Sequence, residues 1–295
     1  MGIAAAVAAT SADSCTALAL SGGGSNGAWE AGVLWGLLNE GNPDDFRYDV
    51  VSGISAGSIN ALGMAGWEIG KEKEAAQFLS DAWKNLRTPM VWKKWPHELI
   101  DVLLTKQGAV DNSPLLTFLT DLISHFEDYK RRIVIKSTEV NTGAITIFNN
   151  ANTPFSDLPK AAVASASIAG VFPPFYWGDG RLFMDGGASS NINVISAIDQ
   201  CLELVDDESK ITIDVMICNA KEETEAEPEP GANTISNFFR ARGLSSSYVG
   251  PNVFRYDIAA HPKINWRYLA YEAEGHAGGT SEINFNGDAT WPMQE

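Results

Sequence analysis

Apolar residues in the first third of this chain alternate between short unbroken runs and longer helical stripes. Residues 15–21 (CTALALS) are mostly apolar and read as a short buried strand. A glycine-rich stretch, residues 22–27 (GGGSNG), follows at once. Residues 28–38 (AWEAGVLWGLL) are apolar nearly all round, which predicts a helix covered on most sides. Residues 48–54 (YDVVSGI) predict a second strand, and residues 58–69 a small-residue helix able to lie close to a sheet. Strand, turn, helix, repeated, is the rhythm of an α/β fold with a parallel sheet.

Further along, residues 72–86 carry Ala75, Leu79, Ala82, Trp83 and Leu86 on one helical face. Ser113 reads as an N-cap and Pro114 as a first helical residue, ahead of the stripe Leu115, Phe118, Leu119, Leu122 and Phe126. Residues 132–140 and 144–148 flank Asn141-Thr142-Gly143, a hairpin signal. Residues 181–184 read as a short strand, 191–205 as a helix and 211–219 as a buried strand. Residues 221–230 (KEETEAEPEP) are acidic and almost free of apolar side chains, which predicts a solvated loop. The region after it shows no clean periodicity. The expected organisation is a tail over residues 1–14 and a single domain over 15–295.

Composition narrows the class. With 295 residues, 45% hydrophobic and 20% charged, the chain has the makeup of an ordinary globular protein. A formal net charge of −16 disfavours nucleic acid and strongly anionic membranes as partners. No apolar run approaches the ~20 residues that cross a bilayer, and the small-residue N-terminus lacks the basic start of a signal peptide. That leaves a soluble protein of unassigned compartment as the expectation. Cys15, Cys201 and Cys218 are odd in number and lack metal-ligand spacing, so three reduced cysteines packed in the core are expected.

Three segments carry candidate chemistry. Gly22, Gly24 and Gly27 fit G-x-G-x-x-G between a predicted strand and helix. This spacing suits a dinucleotide loop, an oxyanion hole of bare N–H groups at a helix start, or a tight packing turn. A nucleotide site wants an acid near the end of the second strand, whereas Asp49 lies at its beginning. Gly53-Ile54-Ser55-Ala56-Gly57 is G-x-S-x-G in strand–turn–helix context, which lifts a serine hydroxyl out of a sharp turn. Such a serine needs a base. Of His97, His125, His261 and His276, the last two stand in the chain order of an esterase triad, in settings with no distinctive chemistry. Asp185-Gly186-Gly187 follows the 181–184 strand and reads alone as an accessible carboxylate or a plain turn. Met90–Leu104, with Trp92, Trp95, Lys93 and Lys94, suits either a lipid-interface segment or tryptophans packed on the core, and apolar stripes more often mean core.

Taken in order, the glycine loop, the G-x-S-x-G serine and the D-G-G aspartate resemble the patatin-like phospholipases. The likeness extends over about residues 17–220, including SPLLTFL at 113–119, the strands around TEVNTG at 138–143 and ASASIAGVFPPF at 164–175. The resemblance implies a three-layer α/β/α domain with a mostly parallel central sheet. It also implies a serine acyl-ester hydrolase with Ser55 as nucleophile and Asp185 as base. Gly22, Gly23 and Gly24 would form the oxyanion hole, with no cofactor or metal. The implied partner is a lipid or other acyl ester, with peripheral contact at a lipid interface and no nucleic acid. Two departures stand out. Asn26 occupies a position often basic in that family, which bears on phospholipid preference, and Asn191-Ile192-Asn193 replaces N-x-P. The competing readings are a histidine-dependent α/β-hydrolase esterase, a Rossmann-type redox protein and a non-catalytic storage or binding protein.

Overall fold

The computed structural model describes residues 12–96, 106–220, 254–272 and 283–294. Most of the tail, the 221–230 acidic segment, residues 97–104, His97 and His276 lie outside them. Eight strands form one sheet: β1 (Cys15–Leu20), β2 (Val50–Gly53), β3 (Arg132–Glu139), β4 (Ile145–Asn149), β5 (Phe175–Tyr176), β6 (Leu182–Asp185), β7 (Ile211–Ala220) and β8 (Asn265–Glu272). The order runs β5-β6-β3-β2-β1-β7-β8, with β4 also paired to β3. β1 pairs in parallel with β2 and β7, and so do β2 with β3 and β7 with β8. The β3–β4, β3–β6 and β5–β6 pairs are antiparallel.

Helices cover both faces, which makes the three layers. On one face lie α1 (Gly27–Glu40), α2 (Ala56–Met64), α3 (Glu72–Asn85), α4 (Thr88–Val91), α5 (Ser113–Ile123) and α6 (Leu158–Ser165). The other face packs α7 (Val194–Leu202) and helical residues 254–260 over a smaller core that includes Ile213, Val215 and Phe254. α1 leaves only Glu40 well exposed, as its all-round apolar pattern predicts. All nine residues of α2 are buried. Among the described residues no helix is long and apolar enough to cross a membrane.

Four expectations are corrected. Cys15 and Cys201 form a disulfide rather than remaining reduced, because α7 packs on β1 and brings their Cα atoms to 5.6 Å across 186 residues of sequence. Cys218 stays buried outside it. α2 begins at Ala56 instead of residue 58, since the serine turn leads straight into it. α5 is capped one residue early: Asn112 is the N-cap and Ser113 is already helical, its N–H donating to Asp111 Oδ1 at 2.8 Å. α7 starts three residues late because residues 190–193 are held by contacts of their own. Trp92 packs on the core, its indole N–H donating to Ile283 O, while the half-buried Trp95 donates to Gly108 O and lies under Lys106 Nζ.

Candidate active site

Ser55 stands at the end of β2, immediately before α2, and is 3% exposed. Its backbone has φ 51° and ψ −119°, and among the described residues it is the one non-glycine with positive φ. Such a conformation costs of order 1–3 kcal/mol and persists only where neighbours impose it. Here they do. Ile54 N–H donates to Leu20 O at 3.2 Å and Gly57 N–H to Ser21 O at 3.1 Å, so both sides of the serine are tied to the end of β1. Ser55 N–H donates to Ser165 Oγ (2.9 Å), and that hydroxyl donates to Lys136 O (2.6 Å). The two glycines of the motif are required by space. A Cβ on Gly53 would lie 2.2 Å from Gly57 O, and one on Gly57 would lie 2.5 Å from Leu20 O. The result has the backbone geometry of a nucleophile elbow, with Ser55 at a helix N-terminus where negative charge is favoured.

Sheet register places Asp185 beside it. Val134 and Ile135 pair with both β2 and β4, while Ser137 and Thr138 pair with both β4 and β6. A strand has one neighbour per side, so β6 lies on the same side of β3 as β2 and in line with it. Gly53 is opposite Ile135 and Asp185 is opposite Ser137, so the two strand ends meet head-on, about 7 Å apart along β3. The contact is tight: a Cβ on Gly186 would sit 2.3 Å from Lys136 O and 3.1 Å from Ile54 Cγ2. Asp185 is fully buried; its N–H donates to Ser167 O, and its Oδ1 accepts Gly187 N–H at 2.7 Å.

The glycine loop forms the third wall. A Cβ on Gly22 would fall 3.1 Å from Ser55 Cβ, which puts the loop backbone against the serine. Gly24 has φ 58°, and a Cβ on Gly23 would collide with Cys218 Cβ at 2.3 Å. The Gly22 N–H donates to Asn191 O (3.1 Å) while Asn191 Nδ2 donates to Gly22 O (2.8 Å). Gly22 is thus clamped on both backbone groups, so of the three expected oxyanion donors its N–H is already engaged by Asn191 O. Asn26 faces inward, donating to Cys218 O at 3.1 Å, so its amide serves the fold.

Beneath the loop, Glu30 is fully buried and accepts from Ser21 N–H and Asn60 Nδ2, both at 2.9 Å. Burial pushes its carboxyl up to about 8, against the lowering effect of these donors. Lys136, 3% exposed on β3, donates from Nζ to Ser190 Oγ (2.8 Å) and Ser190 O (3.2 Å). Burial brings its ammonium down to about 8, although Asp185 and Asp257 act to raise it.

The described histidines lie elsewhere. His261 Nδ1 is 2.9 Å from Glu208 Oε1, just ahead of β7 and therefore at the sheet edge opposite the C-terminal end of β2. His125 follows α5 and packs on Phe78 and Phe126, the latter against Gly66 beyond the far end of α2. A groove of about 550 Å³ between α3 and α5, lined by Phe78, Met90, Phe118 and His125 among others, includes none of Ser55, Asp185 or the loop glycines. Ser165 and Lys136 adjoin the site without having been singled out by motif, whereas Asn191 stands in the Asn191-Ile192-Asn193 departure from N-x-P. Lys136 left a signal of its own, a charge directly after the apolar Ile133-Val134-Ile135 stretch.

Fold and elbow together define an α/β protein with a strained serine presented at the end of a parallel strand. The chain belongs to the patatin-like phospholipase family, whose model matches residues 18–198. It is 29% identical over 182 residues to a cGAMP-activated phospholipase of Pseudomonas aeruginosa (strain BWHPSA011 / Pa011), covering 59% of this chain and 53% of that protein. It is also 29% identical over 193 residues to a cGAMP-activated phospholipase of Escherichia coli (strain TW11681), covering 59% and 52%. The chain thus spans about half the length of the curated relatives it matches. Among solved structures, VipD from Legionella pneumophila aligns with a TM-score of 0.41 and 14% identity, over 96% of this chain and 67% of that one.

Proposed function

We propose that this chain hydrolyses acyl esters of lipids through a Ser55–Asp185 dyad. The observation that carries the reading is the strained Ser55 at the point where β2 and β6 meet, with Asp185 at the facing end. Ser55 Oγ attacks the ester carbonyl carbon as its proton passes to Asp185. The oxyanion is held by the N–H groups of Gly23 and Gly24 with the field of the α2 N-terminus. Collapse breaks the carbonyl–oxygen bond, and the alcohol or lysolipid leaves with the proton from Asp185. Water then attacks the acyl-serine, giving its proton to Asp185, and Ser55 recovers it as the fatty acid departs. The substrate is met at the surface of a lipid aggregate.

The test is turnover of short- and medium-chain p-nitrophenyl esters and of diacyl phospholipid vesicles. Ser55→Ala is expected to fall to background and Asp185→Asn to lose roughly 10²–10⁴-fold. The double variant His261→Ala/His276→Ala is expected to keep full activity. A dead histidine variant with an active Asp185→Asn would replace the dyad by a histidine triad, and silence towards every ester would favour a binding protein. Because the relatives are named for activation by cGAMP, each assay is run with and without it. A rise in rate extends the proposal to regulation.

A further inference from the structure

Lys136 is a buried cation directly after the apolar Ile133-Val134-Ile135 stretch of β3, and an unneeded one would be costly to bury. Its bonds show what it holds. Nζ donates to both the Oγ and the carbonyl of Ser190. Ser190 Oγ in turn donates to Ile192 O at 2.8 Å, so the residues on either side of Asn191 are joined through one ammonium-anchored hydroxyl. Asn191, fixed between them, makes the two bonds that clamp Gly22. The backbone of the same lysine serves the other half of the site: Lys136 O accepts the Ser165 hydroxyl that supports Ser55 N–H, and Gly186 packs directly against that oxygen.

We propose that Lys136 is a positioning residue for acyl transfer, its ammonium setting the Ser190–Asn191–Gly22 chain and hence the glycine loop against Ser55. This inference rests on the Ser55–Asp185 reading above. Two carboxylates bear on the ammonium: Asp185 from β6 and Asp257 from helical residues 254–260. Its neighbour across β4 is the apolar Ile147. Loss of the proton, which burial brings to about pH 8, removes the charge that grips Ser190 O. The loop then loosens as pH rises through that value, and kcat falls with it.

The experiment measures kcat and KM for a p-nitrophenyl ester from pH 6 to 10 on wild type, Lys136→Met, Lys136→Arg and Ser55→Ala, with thermal melts of each. Lys136→Met is expected to fold, to lose roughly 10²-fold in kcat with KM little changed, and to lack the alkaline limb near pH 8 that wild type shows. Lys136→Arg, charged across the range, is expected to recover part of kcat and move that limb beyond pH 10. Wild-type kcat and an unchanged alkaline limb in Lys136→Met overturn the proposal. If Lys136→Met does not fold, an unshifted limb in Lys136→Arg overturns it instead. Undiminished turnover in Ser55→Ala overturns the dyad and not the lysine's role as such. Where no ester is turned over, the rate of fluorophosphonate labelling of Ser55 is compared between the same proteins. Failure of wild type to label overturns both readings.

Discussion

Two buried cations flank the opening half of β3, and their surroundings differ sharply. Arg131, just before the strand, has a side chain with no exposure and pairs with Glu72 at 2.9 Å. It also donates to Tyr48 O, Trp67 O and Glu68 O, so it ties the entry to β2, the chain after α2 and the start of α3. The ammonium of Lys136, five residues on at the end near Ser55, bonds only to Ser190 among the described residues, with no carboxylate there in ion-pair contact. Burial lowers both groups, but Arg131 has its counter-charge in direct contact and Lys136 feels Asp185 and Asp257 only through the field. The contrast separates two uses of a buried charge. One end of the sheet is stapled by a charge in direct contact with its counter-charge; the other keeps a charge whose bonds go to Ser190, next to the Asn191 that clamps Gly22.

The largest effect that would sharpen this contrast is expected from Arg131→Met. It leaves Glu72 buried without its partner and three carbonyls without their donor, at a cost of about 3–5 kcal/mol in stability. Urea denaturation should show the loss at unchanged slope, while kcat of the folded fraction stays near wild type. A matching fall in kcat would dissolve the distinction between the two ends.

Gly186→Ala acts at the other end. Its Cβ would meet Lys136 O at 2.3 Å, so the strand carrying Asp185 must shift, and kcat is expected to fall roughly 10²-fold. Steady-state kinetics on a soluble ester check this, and unaltered kcat would mean the β2–β6 junction tolerates displacement. Asn191→Ala removes one of the two bonds clamping Gly22 and leaves the Asn191 O contact in place, for an expected loss of about tenfold in kcat. A change confined to KM would place Asn191 in substrate binding instead.

The smallest effect concerns Glu30. Its carboxyl is raised in the fold to about 8 from an ordinary value of 4.5, so its contribution to stability is fully present below 4.5 and is lost as pH rises through about 8. Gln at this position stays neutral. Melting temperatures taken at pH 5 and pH 8 should therefore show Glu30→Gln gaining on wild type as pH increases, whatever the constant offset between them. A difference independent of pH would show that Glu30 is not held protonated.

How far the site was legible in the sequence depends on whether a feature is local. The serine turn, the glycine loop and the D-G-G turn are local demands on backbone space, and glycine at 53, 57 and 186 advertises them. Edges were harder. β8 (NWRYLAYE) carries no clean alternation, because as the edge strand of the sheet among the described residues it leaves Tyr268 and Leu269 half in solvent. β5, at two residues, is too short to carry a pattern. The shortened start of α7 and the disulfide from its Cys201 to β1 follow from contacts with chain far away in sequence.

The sequence alone thus determined the α/β rhythm, the parallel core strands and the three motifs, since each rests on periodicity or on a backbone shape that particular residues permit. Tertiary structure decided what those motifs face. It set β6 in line with β2, assigned the Gly22 N–H to Asn191, turned Asn26 inward, and gave Lys136 and Arg131 different surroundings five residues apart. The reason is physical: periodicity specifies which face of an element is buried, but partners for buried polar groups come from segments that only folding brings together.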